Sequence, residues 1–330
     1  MRSDPFRFFR ATYYRWAQLW PETCPDLADA PRVLAVGDLH VENFGTWRDI
    51  EGRLVWGVND FDEAHSLAYT NDLVRLAVSA HLAAEAGHLP IDRKDICDAI
   101  LDGYQTSLRK GGKAFLLGEN HIWLRNMSEG RLRDPVIFWK KMDDLPTLRT
   151  KLPLSALEAI EHSLPAHGLE YRIAHRIAGL GSLGHERYVA IANWCGNKIA
   201  RQAKALAPSA CHWVEDDKGS AEILYQTVLS HSIRCPDPFV QLRGHWIVRR
   251  LSPHCSRIEL TQIKAEGVEM RLLRAMGWET ANIHLGSQSA VKPILRHLQK
   301  QNGRWLHAAS ASMLKTAQED WKIWKQSGYS

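Results

Sequence analysis

Two stretches near the N-terminus decide the fold that this sequence predicts: Gly37-Asp-Leu-His-Val-Glu-Asn-Phe-Gly45 and Asn59-Asp-Phe-Asp-Glu63. Each follows a short apolar run, residues 32–37 and residues 53–58, with the length and composition of a buried strand. The sequence therefore predicts two strands that both end in carboxylate and amide side chains.

The spacing of these polar residues is typical of phosphoryl transfer. Asp38 lies five residues before Asn43, and an Asp-Phe pair begins at Asp60. Phosphoryl transfer needs one carboxylate to orient the acceptor hydroxyl and take its proton, and oxygen ligands that hold Mg²⁺ against the phosphates. We therefore predict that Asp38 is the catalytic carboxylate. Asn43 and Asp60 are predicted to bind Mg²⁺ or Mn²⁺, with Asp62 as a candidate further ligand.

A histidine lies in the same loop, two residues after the catalytic carboxylate. We place His40 in the catalytic set with Asp38 and Asn43, and we expect it to brace the loop rather than to ionise during turnover. Asp, His and Asn are also frequent turn and capping residues. A purely structural role is therefore the alternative for this stretch taken alone.

A third stretch, Gly179-Leu-Gly-Ser-Leu-Gly184, lies between two β-like runs. Glycines at this spacing let backbone amides approach phosphate oxygens. A dinucleotide site would require a helix directly after the third glycine, whereas Tyr188-Val-Ala-Ile-Ala is β-like. The predicted contacts to the phosphates of ATP are Gly179, Gly181, Ser182 and Gly184. A plain glycine turn is the alternative.

One strand further along, Lys204 occupies the place where a kinase has the lysine that binds the α- and β-phosphates. Glu222 lies in a helix predicted near residues 219–232, where a glutamate would pair with that lysine. Lys198 and Glu215 are the alternatives for these two positions. Surface lysines and glutamates without a role would give the same pattern.

The order of these parts along the chain is that of a kinase after one cyclic rotation. A kinase runs from glycine loop, lysine and glutamate through a hinge to the catalytic Asp and Asn and the metal-binding Asp. Here the catalytic and metal-binding residues come first, and β-like runs at 170–192 and 239–251 follow a helix-rich segment. The sequence thus predicts an α+β, protein-kinase-like fold with two lobes, circularly permuted. Permutation costs little where chain ends lie close together at the surface.

This order divides the chain into three parts. Residues 1–167 form a helical part with the catalytic loop and the metal-binding Asp, and residues 168–252 form a strand-rich part with the glycine loop. Residues 253–330 supply the hinge and the helices that complete the helical lobe. The predicted function is ATP- and Mg²⁺-dependent phosphotransfer to a small-molecule acceptor.

The composition fits this function and argues against several others. Among 330 residues the net charge is +5, which suits a nucleotide ligand and is too weak to indicate nucleic-acid binding. The six cysteines include no Cys-x-x-Cys pair, so we expect no zinc or redox motif and reduced thiols in the cytoplasm. No signal peptide and no apolar run of membrane-spanning length is visible, so we expect no membrane association. The sequence leaves the oligomeric state open.

Four runs carry a resemblance to a known family: residues 37–45, 59–63, 72–75 (Asp72-Leu-Val-Arg75) and 179–184. They resemble a bacterial family catalogued as domain of unknown function 2252. The first two runs are also similar to motifs of aminoglycoside phosphotransferases and related small-molecule kinases. The resemblance implies an aminoglycoside-phosphotransferase-like fold over nearly the whole chain, and it implies no substrate. Ala205 follows Lys204 where the family usually has an acidic residue, which weakens the assignment of that lysine.

Two other functions fit part of the pattern. A pseudokinase or nucleotide-binding regulator would keep the fold and lose turnover, and the intact Asp38, Asn43 and Asp60 argue against it. A metallophosphoesterase also opens with a strand and Gly-Asp-x-His, and Asn120-His121 supplies an Asn-His pair. That pair lacks a preceding glycine-rich strand turn, and such an enzyme needs no glycine loop.

Overall fold

Most helices and strands of the computed structural model follow the apolar periodicity of the sequence. The structure describes residue 2 and residues 4–89, 91–128, 134–176, 186–215, 221–255 and 267–327. Within these residues thirteen helices and ten strands form a mixed fold with three antiparallel sheets. The predicted α+β class is therefore confirmed.

The helices and strands are numbered in chain order. The helices are α1 (Pro5–Ala11), α2 (Tyr13–Thr23), α3 (Pro25–Ala28), α4 (Tyr69–Glu85), α5 (Arg93–Lys110), α6 (Ile122–Ser128), α7 (Pro135–Asp143), α8 (Leu154–His162), α9 (Ala210–Val214), α10 (Tyr225–His231), α11 (Val268–His284), α12 (Gln288–Lys300) and α13 (Trp305–Gln326). The strands are β1 (Arg32–Ala35), β2 (Phe44–Arg48), β3 (Leu54–Val58), β4 (His65–Ala68), β5 (Phe115–Leu116), β6 (Tyr171–His175), β7 (Arg187–Trp194), β8 (Asn197–Ala205), β9 (Gln241–Arg243) and β10 (Trp246–Leu251).

The aromatic-rich residues near the N-terminus form two separate helices, α1 and α2. Asp4 caps α1, since its carboxylate accepts a hydrogen bond from the backbone N–H of Phe6 at 2.8 Å. Thr12 leaves the helical conformation at φ −129°, and its hydroxyl donates to Phe8 O at 2.8 Å. A hydroxyl that bonds back to the preceding turn competes with the helix ladder, which explains the break between α1 and α2.

The helical part is built round α4, α5 and α11. α4 is buried along nearly its whole length, and α5 packs directly against α11. This close packing requires glycine on both helices: a Cβ on Gly103 would lie 1.9 Å from Arg274 O, and one on Gly277 would lie 2.1 Å from Ile100 O. One apolar core joins these helices to the small sheets β1–β4 and β2–β3–β5, whose strand ends carry the polar motifs.

The largest sheet has five antiparallel strands in the order β6-β7-β8-β10-β9. All of them lie within the segment 168–252 for which the sequence predicts strands. β8 lies between β7 and β10, and its Lys204 is opposite Arg187 and Ile247. The lysine is therefore carried by the middle strand of the sheet.

The packing does not follow the division of the chain at residue 167. α8 contacts the sheet through Ala156, Ala159 and Ile160, and α7 contacts it through Met142, although both helices were assigned to the helical part. Conversely, α9 and α10 contribute buried residues to the core of the helical part, although they lie within 168–252. α8 thus packs against β8 and β10 of the five-stranded sheet.

The beginning and the end of the described chain lie side by side. The ring of Phe8 in α1 lies 5.2 Å from that of Trp324 in α13, and Arg15 in α2 forms an ion pair with Asp320 at 2.7 Å. Among the described helices, none is both long enough and apolar enough to cross a membrane. All six cysteines are free thiols.

Candidate functional site

The polar loop between β1 and β2 turns sharply at Gly37. The φ of Gly37 is +77°, and a Cβ there would lie 2.2 Å from Glu63 O, so a larger residue does not fit. Further along the loop, the backbone N–H of Asn43 donates to His40 O at 2.8 Å, and that of Glu42 donates to His40 Nδ1 at 3.2 Å. His40 is buried, and these hydrogen bonds close the turn.

A buried carboxylate beneath the loop ties it to the helices. Asp72, in the first turn of α4, accepts hydrogen bonds from the backbone N–H groups of Val36 at 2.7 Å and Gly37 at 3.0 Å. His284 Nε2, at the end of α11, lies 3.0 Å from the same carboxylate, and Tyr104 Oη lies 2.9 Å from His284 Nδ1. A buried polar network with its members paired in this way holds the loop in one conformation.

One arginine holds the predicted catalytic carboxylate. Arg75 Nε at 3.1 Å and Nη2 at 2.5 Å both donate to Oδ1 of Asp38, and among the described residues no donor reaches Oδ2. The guanidinium lies over the rings of Phe9, Tyr13 and Trp16, at 4.1, 4.9 and 5.0 Å from their centroids. Burial raises the pKa of Asp38 above its ordinary value, and Arg75 opposes this shift. A carboxylate with a raised pKa and one open oxygen is suited to accept a proton.

Asn43 joins the two strand ends. Its Nδ2 donates to Asp60 O at 2.9 Å and to Asp38 O at 3.3 Å, and its own carbonyl accepts from Asn59 N at 2.9 Å. The loop that carries Asp38 and the segment that carries Asp60 therefore lie side by side. Because the amide nitrogen serves two carbonyls, the side-chain oxygen of Asn43 is the atom left to bind a ligand.

Lys204 reaches these loops from the five-stranded sheet. Its Nζ lies 3.3 Å from Asp60 Oδ2 and also forms an ion pair with Asp62 Oδ2. The lysine side chain is 2% exposed, whereas the two aspartates are 33% and 26% exposed. Lys198, the alternative lysine, pairs instead with Asp143 at 2.5 Å. Of the two lysines, the structure brings Lys204 to the carboxylates.

Neither candidate glutamate meets this lysine. Glu222 is exposed and forms no ion pair within the described part of the chain, because α10 begins only after it. Glu215 follows α9 and lies 3.4 Å from Arg32 and 3.3 Å from His65. α10 itself carries no acidic residue, so the two aspartates take the place that the glutamate was predicted to fill beside Lys204.

The glycine stretch lies outside the described residues, and with it the predicted phosphate contacts Gly179, Gly181, Ser182 and Gly184. The strands on either side of it, β6 and β7, are antiparallel neighbours. The strand that follows the stretch runs beside the lysine, since Arg187 in β7 is opposite Lys204 in β8.

Two residues that the sequence did not single out hold the same segment from the side of the sheet. Arg249 Nη2 donates to Tyr225 Oη at 2.8 Å, and its Nη1 donates to Asn59 O at 3.4 Å. The ring of Tyr225 packs edge-on against Phe61 at 5.7 Å, and burial raises the pKa of Tyr225 to about 12. The peptide before Asp60 is thus held from both sides. An arginine in a strand and a tyrosine in a helix carry no motif, so no sequence signal pointed to them.

Glu63 is the last residue of the second motif, and no role was predicted for it. Its carboxylate accepts from Ala210 N at 2.7 Å and from Ser209 Oγ at 3.0 Å, which ties the motif to the start of α9. Burial raises the pKa of Glu63 to about 7, and the nearby Asp38 adds to the shift. This residue could have been noticed, because it directly follows the predicted ligand Asp62.

The oxygen atoms at the two strand ends fit a hard divalent cation. Oδ1 of Asp62 is buried and has no hydrogen-bond partner in the described residues, so a cation would satisfy it. Together with Asp60 and the side-chain oxygen of Asn43 it offers the carboxylate and amide ligands that Mg²⁺ and Mn²⁺ prefer. The described ranges contain no group of three or more His, Cys, Asp and Glu side chains that could hold a metal. Phosphate oxygens or water would therefore have to complete the coordination.

Residues 1–129 match a known family. It is described as "Uncharacterized protein conserved in bacteria (DUF2252)". The matched part contains Asp38, Asp60 and Asp62, and it ends before the five-stranded sheet with Lys204. No curated protein and no solved structure matches the chain. The match supports the family resemblance for the N-terminal part, whereas the similarity to aminoglycoside phosphotransferases stays a prediction.

Proposed function

We propose that the chain is an ATP- and Mg²⁺-dependent phosphotransferase with a circularly permuted, protein-kinase-like fold. The observation that carries this proposal is the meeting of Lys204 with Asp60 and Asp62. The lysine comes from the middle of the five-stranded sheet, and Asp60 comes from a strand end 144 residues away in the sequence. A buried cation facing two carboxylates is an arrangement that suits the phosphates of a nucleotide and their metal ion.

The three oxygen-bearing side chains and the lysine would bind the nucleotide. Asn43, Asp60 and Asp62 would hold Mg²⁺ or Mn²⁺, which would neutralise the negative charge of the phosphates. Lys204 would bind the α- and β-phosphates. Within the described residues, Oδ1 of Asp62 is buried without a hydrogen-bond partner, and the side-chain nitrogen of Asn43 donates to two carbonyls while its oxygen is left for a ligand. Both observations support this assignment.

Asp38 would serve the acceptor, a hydroxyl or amine on a small molecule. Arg75 occupies Oδ1 of Asp38 and so orients Oδ2, which would take the acceptor's proton as the terminal phosphate moves from ATP to the acceptor. The products are ADP and the phosphorylated acceptor. Asn43 links Asp38 to Asp60 by hydrogen bonds, which sets the distance between acceptor and metal.

The order of the elements supports the proposed permutation. β6, β7 and β8 form a meander, which is followed by α9 and α10 and then by β9 and β10. This is the kinase order of glycine-loop strands, lysine strand, helix and hinge strands.

ADP release in the presence of Mg²⁺, ATP and a panel of small-molecule alcohols and amines tests the proposal. Asp38→Asn should lower turnover by about 10²–10⁴-fold, the usual effect of a general base. Nucleotide binding should survive, since the proposed nucleotide contacts do not include Asp38. Asp98→Asn is the matched control, because Asp98 is exposed and contacts only His307 among the described residues. Equal turnover of wild type and Asp38→Asn would refute the assignment, and loss of both activities would indicate a folding role.

A nucleotide-binding regulator without turnover is the second candidate. It is favoured by the absence of an acidic residue on α10, which leaves Lys204 bound to the metal-binding aspartates. Such a protein would bind ATP in the same assay and release no ADP. No observation favours a metallophosphoesterase. The ring of His121, from the Asn-His pair, packs against Phe115 at 4.7 Å, and the described ranges contain no group of three or more His, Cys, Asp and Glu side chains that could hold a metal.

A further inference from the structure

The two predicted metal-binding carboxylates already have a cation between them. Lys204 Nζ lies 3.3 and 3.5 Å from the two carboxylate oxygens of Asp60, and it also pairs with Asp62 Oδ2. An internal ammonium therefore neutralises the oxygens that a divalent ion would need. We propose that Lys204 makes the site selective for metal that arrives bound to a polyphosphate, and that it excludes the free ion. This inference rests on the proposed function, which assigns the metal and the nucleotide to this site.

A free divalent ion has no favourable way into this site. It would lie next to an ammonium whose side chain is 2% exposed, where solvent screens little of the repulsion between the two cations. Alternatively it would have to displace the lysine. The backbone of Lys204 is held in the middle strand, between Arg187 and Ile247, and its side chain is 2% exposed. Leaving its two aspartates would also remove partners from a buried charge, which is costly.

A second cation strengthens the exclusion. Arg249 Nη1 donates to the carbonyl of Asn59, the residue directly before Asp60, at 3.4 Å. Asp60 therefore lies in the field of both Lys204 and Arg249. A bare metal ion would add two further positive charges to this region and bring no negative charge with it.

A nucleotide changes this balance. Its phosphate oxygens can accept from Lys204 Nζ in place of the aspartates, which frees the carboxylates of Asp60 and Asp62 for the metal. Oδ1 of Asp62 loses no hydrogen bond in the exchange, because it has none in the described residues. Metal and nucleotide should therefore bind with positive coupling, and the coupling must be the same for either order of addition.

The first test uses the wild-type protein and Mn²⁺, whose free form is measured by electron paramagnetic resonance. Mn²⁺ is titrated with and without a non-hydrolysable ATP analogue, and the analogue's own binding of Mn²⁺ is measured separately. The account predicts that the analogue tightens Mn²⁺ binding to the protein by about 10- to 100-fold, within the usual range of coupling between two ligands. An analogue that binds without tightening Mn²⁺ binding overturns the inference and leaves the proposed function standing.

The second test removes the internal cation. Lys204→Met should bind free Mn²⁺ at least about tenfold more tightly than the wild type and should show little coupling to the analogue. Lys198→Met is the matched control, since it removes an equal charge from the same strand at an exposed pair with Asp143. Equal free-Mn²⁺ affinity in Lys204→Met and the wild type would overturn the inference. The wild-type comparison decides alone if Lys204→Met does not fold.

The two tests also separate this inference from the proposed function. If the analogue does not bind to the wild type at all, the proposed function fails. Tighter binding of free Mn²⁺ by Lys204→Met would still support the role of Lys204 at a metal site, and unchanged binding would refute it.

Discussion

Replacing Arg75 by methionine would remove the cation that holds the proposed catalytic carboxylate. Arg75 is completely buried, and two of its N–H groups donate to Oδ1 of Asp38. Its guanidinium stacks on the rings of Phe9, Tyr13 and Trp16. Methionine keeps an unbranched apolar side chain against these rings, so the main loss is the ion pair rather than the packing.

The cost follows from the exposure of the two partners. Removing one partner of a fully buried ion pair costs about 3–5 kcal/mol, whereas an exposed pair is worth about 0–1 kcal/mol. Arg75 is fully buried, but the side chain of Asp38 is 23% exposed and would be partly hydrated in the variant. We therefore expect Arg75→Met to lower the free energy of unfolding by about 2–3 kcal/mol near neutral pH.

This cost should depend on pH with a definite sign. Burial raises the pKa of Asp38, and Arg75 opposes that shift, so the variant raises the pKa further. A group with a raised pKa contributes stability that is present below its unfolded pKa and is lost as pH rises through its folded pKa. The destabilisation by Arg75→Met should therefore be largest near pH 7 and should shrink as the pH falls towards the ordinary Asp38 value of 3.8.

Urea unfolding of four proteins measures the effect: wild type, Arg75→Met, Asp38→Asn and the double variant. If the ion pair carries the cost, Arg75→Met should be much less destabilising in the Asp38→Asn background, with a coupling of about 2 kcal/mol. Additive effects within about 0.5 kcal/mol would show that Arg75 acts through packing alone and would refute the reasoning.

Three further predictions concern the neighbouring groups. Asp60→Asn should weaken Mg²⁺-dependent ATP binding, measured by calorimetry, by at least about 10–100-fold. Residues that only hydrogen-bond to a metal ligand already have effects of that size, and Asp60 is predicted to be a ligand itself. Unchanged metal dependence would assign Asp60 a structural role. Tyr225→Phe removes the hydroxyl that accepts a hydrogen bond from Arg249, so the Mg²⁺ concentration for half-maximal ATP binding should rise by about tenfold. An unchanged melting temperature at saturating ligand would show that the hydroxyl positions the site, whereas a lowered one would show that the variant is unfolding. Burial raises the pKa of Glu279 to about 7, so its contribution to stability is present below its ordinary value of 4.5 and is lost as pH rises through about 7. Glu279→Gln should therefore flatten the fall in unfolding free energy across this range, and an unchanged slope would exclude ionisation of Glu279 as its source.

The local part of the candidate site could be predicted from the sequence. Asp38 and Asn43 lie on the loop after β1, and Asp60 follows β3. Hydrogen bonds between residues close in sequence bring the three together. The spacing of these residues in the sequence is enough to predict that they lie together. The contact of Lys204 with Asp60 spans 144 residues and leaves no local pattern, so only the cyclic order of the motifs suggested it.

The remaining site residues depend on contacts that a linear pattern does not encode. Glu222 was placed in a helix near residues 219–232, but α10 starts at Tyr225. Glu222 therefore lies outside the helix, and because each helical residue turns the side chain by about 100°, a shifted boundary changes which side chains can face Lys204. Arg75 and Arg249 lie in an ordinary helix and an ordinary strand, and only the folded structure shows which carboxylate or carbonyl each one meets. The same holds for α7 and α8, whose apolar faces do not reveal that they cover the five-stranded sheet.

A crystal structure of the protein with Mg²⁺ and a non-hydrolysable ATP analogue would show whether Lys204 and the neighbouring carboxylates bind the nucleotide and its metal. We expect phosphate oxygens within hydrogen-bond distance of Lys204 Nζ, and Mg²⁺ bound to the phosphates, Asp60 and the side-chain oxygen of Asn43. We also expect that Lys204 has moved away from Asp62. A nucleotide bound elsewhere, or one at this site with Lys204 still paired to both aspartates and no metal between them, would contradict the account.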